Sequence, residues 1–156
     1  MRLNNRYRFV LYFVLLLPPC FLSQTNDEFI LCGNQKTYPY YHPELRYKGG
    51  FWEIKNHFNT KYTEKEFVNI DNNSGVVTIQ FVVNCEGKSG RFETQSCDLN
   101  YTEKQVNAAI VAHLLNLTKE LKNWIIALDE SNLKVNSHAF LSFRIENGKI
   151  TEILPK

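Results

Sequence analysis

The chain has 156 residues, of which 44% are hydrophobic, 13% aromatic and 22% charged. That balance excludes collagen-like, low-complexity and wholly disordered chains, and the length holds one folded domain behind any targeting segment. The formal charge is +2, but residues 1–23 hold three arginines and no acid; without them 15 basic side chains face 16 acidic ones, a net charge of −1. A near-neutral domain argues against nucleic acid as a partner, because phosphate binding needs a basic surplus on one face.

The first element predicted is an export signal over residues 1–23. Arg2, Arg6 and Arg8 precede an apolar stretch from Phe9 to Leu17, which Pro18 and Pro19 break. The order of basic, apolar and small residues matches a secretory signal, cut between Ser23 and Gln24. The stretch falls short of the roughly 18–20 apolar residues of a membrane span. A retained anchor is one alternative. Lipid attachment at Cys20 is another, although Leu17-Pro18-Pro19 puts proline where a small residue should precede the cysteine. The reading places the mature protein in the periplasm.

Export puts the remaining cysteines in an oxidising compartment. Cleavage leaves Cys32, Cys85 and Cys97, an odd number, so at most one intramolecular disulfide forms. Cys85 and Cys97 lie far apart along one predicted hairpin, beyond the roughly 7 Å Cα limit of a disulfide. Cys32 can reach either. The reading favours Cys32–Cys85, with three unpaired thiols as the alternative. No C-x-x-C occurs, so neither zinc nor thioredoxin-type chemistry is signalled, and no cofactor is expected.

Residues 24–47 read as an irregular arm ahead of a folded domain over 48–156. Tyr38-Pro39-Tyr40-Tyr41-His42-Pro43 resists a regular helix, because each proline removes a donor and restricts the residue before it. The arm is aromatic rather than Gly/Ser-rich, so it is expected to pack on the domain. A short helix follows Gly49-Gly50, with Phe51, Ile54 and Phe58 at helical spacing and Tyr62 one turn on. Residues 69–75 are dense in turn formers.

Val77, Ile79, Phe81 and Val83 then alternate with Val76, Thr78, Gln80 and Val82, which predicts a strand with one buried face. Asn84-Cys85-Glu86-Gly87 is a turn, and Lys88 to Ser96 returns as the partner strand with Phe92 inward. Gly90 suggests a bulge or a close approach. Thr102 and Gln105 form a capping box that predicts the main helix over 103–121. Val106, Ile110, Leu114, Leu117 and Leu121 line its inner face, and Trp124 closes the core edge. Residues 129–136 read as a polar loop. Ala139, Leu141, Phe143 and Ile145 alternate with Phe140, Ser142 and Arg144 in a third strand. Asn147-Gly148 is a two-residue turn into a short last strand or extended tail holding Ile150 and Ile153. The predicted fold is α+β: a small antiparallel three-stranded sheet with two helices packed on one face.

From Lys48 onward these residues resemble the C-terminal domain of TonB, the periplasmic energy transducer of Gram-negative bacteria. Gly49-Gly50 opens the first helix, as in Bacteroidota members. The run from Gly75 to Gly87 is similar to that family's G-x-V-x-V-x-F-x-V-x-x-x-G hairpin. The long helix ends near a tryptophan, here Trp124, and Leu141 to Ile153 resembles the closing strand. Three features depart from the pattern. Tyr62 is followed by Thr63 instead of proline, no Pro-Gly follows Trp124, and there is neither a Ser/His-bearing membrane helix nor a Pro-rich spacer. The resemblance therefore speaks for the fold more than for force transmission.

Enzymatic chemistry is not expected. Ser137-His138 is the one pairing that suggests a nucleophile with a base, and neighbours on a strand point to opposite faces. His42, His57 and His113 fall in no metal-ligand spacing. The triplets at Asn72, Asn100 and Asn116 fit a glycosylation acceptor, a pattern common by chance. The functional expectation is the sheet edge, where unpaired backbone groups can accept a partner strand. The resemblance implies that the last strand serves this way. The candidate edge is residues 139–153, with Phe140, Leu141, Ser142, Phe143, Arg144, Ile145 and Lys149 as partner-binding residues. Arg144 and Lys149 would set charge register.

The expected partner is a protein segment, from an outer-membrane transporter or another envelope protein, with a homodimer through edge strands as a further option. No small-molecule substrate is expected. The alternative is a self-contained structural domain whose edge is closed by its own arm. Pairing of Phe29-Ile30-Leu31 along the last strand would favour that alternative; an arm covering the helical side would leave the edge free.

Overall fold

A computed structural model of the chain describes residues 29–33, 36–39 and 45–155. The signal over 1–23, the Ser23/Gln24 cut, Cys20 and the part of the arm holding His42 lie outside these residues. The described elements, in order, are β1 (Thr37–Tyr38), β2 (Arg46–Tyr47), α1 (Gly50–Lys61), a 3-10 turn (Glu64–Glu66), β3 (Gly75–Val83), β4 (Ser89–Cys97), α2 (Ala108–Lys119), β5 (Trp124–Ile125), β6 (Asn136–Glu146) and β7 (Lys149–Leu154). The class is α+β, with two helices and a mixed sheet.

The sheet is larger than the three strands expected. It has five strands, in the order β1-β6-β3-β4, with β7 also paired to β6. β3, β4, β6 and β7 form antiparallel ladders, whereas β1 lies parallel to β6. Two causes account for the difference. Asn147 and Gly148 both adopt positive φ, 52° and 76°, so the tail folds back as a full strand on β6. The arm supplies β1. A separate two-stranded ribbon joins β2 to β5, where the Tyr47 and Trp124 rings meet edge-on at 5.0 Å.

The alternation read along β3 and β6 sets the two faces of the sheet. Val77, Ile79, Phe81 and Val83 pair in register with Phe143, Leu141, Ala139 and Ser137. The apolar members of these rows are buried in the core with Ile54 and Phe58 of α1 and Ile110, Leu114 and Leu117 of α2. Phe58 and Phe143 touch at 4.7 Å between ring centroids. Burying each such side chain contributes about 1.5–3 kcal/mol. Thr78, Gln80, Ser142 and Arg144 take the opposite, polar face.

α2 begins later than its capping box suggested. Residues 103–106 run along the end of β4, where Glu103 bridges Cys97. There the Ser96 hydroxyl donates to Lys104 O at 3.0 Å and accepts from Val106 N–H at 3.2 Å. Asn107 is the cap instead of Thr102; its side chain accepts from Ala109 N–H at 2.9 Å. The inner face is as read, with Val106, Ile110, Leu114, Leu117 and Leu121 all buried.

β4 carries a bulge opposite Phe81, where Arg91 takes φ 53°. Phe92 turns inward and stacks on Phe81 at 5.4 Å. Gly90 meets the Phe29 ring so closely that a Cβ there would overlap it. Both expectations for Gly90, a bulge and a close approach, are met.

Candidate functional site

The sequence placed the partner-binding edge on residues 139–153; in the structure residues 142–145 lie between β3 and β7, the ladder that β1 makes with β6 ends at Ser137, and Lys149–Leu154 form an outer strand. β6 has β3 along one side, β7 along its second half and β1 beside its start. Leu141, Phe143 and Ile145 are buried core residues, whereas Phe140, Ser142 and Arg144 are half-buried on the polar face. An alternating pattern shows which face a residue takes but not which strands flank it. Of the side chains expected to bind a partner, Lys149 alone lies in an outer strand.

Three strands of this sheet are outermost among the described residues: β4, β7 and the two-residue β1. The end of β4 is covered by residues 103–106. β7 has no described strand on its outer side. A shallow cleft of about 300 Å³ lies beside it, lined by Lys55 and Asn59 of α1, Arg144 of β6, and Ile150, Thr151, Glu152 and Ile153. Thr151 is the extra residue where the ladder shifts between Arg144 and Ile145, and its hydroxyl donates to Arg144 O at 3.3 Å.

The charges near this edge are largely paired. Arg144 Nε lies 2.8 Å from Glu146, which raises its pKa mainly through that side-chain hydrogen bond. Lys149 Nζ is 3.5 Å from Glu64. The expected register role of Arg144 therefore gives way to a pairing within its own strand.

The start of the arm takes neither course that the sequence left open, whereas Leu45 and Tyr47 at its end pack against the helix-side core. Phe29 to Leu31 does not pair along the last strand, nor does it cover the helices. It crosses the face away from them, at the end of β3, β4 and β6. Asn84 donates to Ile30 O at 2.9 Å. Asn136 accepts from Cys32 N–H at 3.0 Å and donates to Cys32 O and Lys36 O at 3.0 and 2.9 Å. Cys32 and Cys85 form the favoured disulfide, with Cα atoms 5.9 Å apart, and Cys97 is a free thiol. Both asparagines are buried; the sequence reading left them in turn and loop segments and assigned them no role.

Of the four histidines, His42 lies outside the described residues and the other three sit in different settings. Ser137 is buried and His138 exposed, as neighbours on a strand should be. The His57 ring bonds Leu117 O at 2.9 Å, and Glu120 lies 3.9 Å from it. Lys61 ties α1 to α2 through Glu120, and that hydrogen bond is the main cause of the lowered Glu120 pKa. His113 packs against both the Tyr62 and Phe67 rings, which also touch each other. Among the described residues, no three His, Cys, Asp or Glu side chains converge as metal ligands, and no helix is long and apolar enough to cross a membrane.

Set against known proteins, the chain matches no family model, no curated protein and no solved structure.

Proposed function

We propose that the chain is an exported protein-binding domain of TonB C-terminal type, which takes an extended segment of an envelope protein by strand addition. The acceptor in this reading is β7, Lys149–Leu154, rather than β6. The observation that carries it is the position of β7, an outer strand of six residues beside a cleft edged by α1. An outer strand presents unpaired backbone groups, and a partner peptide gains affinity from pairing with them. The order helix, two strands, helix, strand is the one the resemblance implies. A link to TonB-dependent transport belongs to the same proposal. Export is supported by the Cys32–Cys85 bond, since such bonds persist in oxidising compartments.

A second reading has its own observation. β1 and β7 together cover much of the outer side of β6, which favours a self-contained domain closed by its own segments. The two readings separate at β7. Pull-downs with the wild type and with Thr151→Pro, checked for folding by thermal melting, test the first. It expects at least one partner lost from the variant; identical partner sets would favour the self-contained domain.

A further inference from the structure

The helical face of the sheet and the seat of the arm are built from different chemistry. Under the helices the core is apolar. Under the arm, buried Asn84 and Asn136 turn polar groups toward it beside Val82, and at the sheet edge Ser137 Oγ reaches Pro39 O at 3.5 Å. When a cover leaves an apolar face, that face is left in contact with water at a large cost. When it leaves a polar seat, water can take over the hydrogen bonds. The arm's own strand, β1, has two residues. Among the described residues its further anchors include the side chains of Asn84 and Asn136 and the packing of Phe29 and Leu31. The covalent anchor is the Cys32–Cys85 bond, and both cysteines are partly exposed.

We propose that this disulfide is a redox-operated clasp on the sheet. Intact, it holds β1 against the start of β6. Reduced, it lets residues 29–33 and 36–38 leave and returns the outer side of Asn136 and Ser137 to the surface. The reductant is a dithiol. One of its thiolates attacks a cystine sulfur, giving a mixed disulfide and releasing the other cysteine. Its second thiolate then resolves the mixed disulfide. The reductant ends as a disulfide, and Cys32 and Cys85 end as thiols carrying the two electrons and two protons it gave up. The release of the arm is independent of the strand-addition reading above.

Amide hydrogen exchange on the mature chain tests the release. It compares the oxidised protein, the same protein in dithiothreitol, and a Cys32→Ser/Cys85→Ser double variant that needs no reductant. Exchange in residues 29–33, 36–38 and 136–138 is expected to speed up on the order of tenfold or more in both thiol and serine forms. Residues 75–83 and 108–119 should keep their protection. Unchanged exchange in the arm would overturn the proposal, and so would loss of protection throughout the domain, since the bond would then hold the whole fold. Failure of the Thr151→Pro pull-down would leave this result standing.

Discussion

The side chain of Asn136 grips Cys32 at both backbone groups, accepting from its N–H and donating to its carbonyl, each at 3.0 Å. The same amide reaches Lys36 O at 2.9 Å, so one buried residue aligns the arm for its parallel run beside β6. Asn136→Ala strands these backbone groups. We expect about 3 kcal/mol less stability toward urea, and faster trypsin cleavage at Lys36. A loss below about 0.5 kcal/mol would show that water replaces the amide without cost.

Phe140 and Phe143 differ in environment although they share a strand. Phe143 is fully buried against Phe58, whereas Phe140 is half-buried on the polar face. Phe143→Ala should cost about 3–5 kcal/mol. Phe140→Ala should cost clearly less. Equal costs in chemical denaturation would contradict the assignment of faces.

Gly148 makes the turn that returns β7 onto β6. Its φ is 76°, and a Cβ there would meet the Phe67 backbone. Gly148→Ala should destabilise by roughly 2–4 kcal/mol, more than the cost of positive φ alone, because backbone cannot move aside cheaply. Thermal melts of the variant check this.

Tyr62 has its pKa pushed up to about 12, first by burial and then by Glu64, and its hydroxyl donates to Gly148 O at 3.0 Å. The fold therefore holds this proton more tightly than the unfolded chain does. Its contribution is complete below pH 10 and is lost as pH rises through about 12. Tyr62→Phe should remove the highest step of the tyrosinate absorbance titration and flatten the fall in stability over that range. An unchanged titration would refute the assignment.

The hairpin was readable because β3 alternates cleanly and the Asn84–Gly87 turn interrupts it. The inner face of α2 was readable for the same reason: a stripe at three- and four-residue steps survives an error in where the helix starts. Thr102 looked like a cap, but tertiary pairing of Glu103 with Cys97 draws residues 103–106 along the sheet. The candidate site was less legible. Lys149 and the Cys32–Cys85 pair stood out in the sequence. The Asn147-Gly148 turn announced the return of the tail, but that the arm docks beside the start of β6 rests on long-range contacts that no local pattern encodes. Asn84 and Asn136 looked like turn residues because their partners, Ile30 and Cys32, are 54 and 104 positions away.

The most direct test is site-specific photo-crosslinking in cells that make the protein. A photoreactive phenylalanine analogue is placed in turn at Thr151 on β7, Ser142 on β6 and Thr94 on β4. The account predicts a discrete adduct with a partner protein from position 151 and none from 142 or 94. Adducts from either of those positions with none from 151 would contradict it.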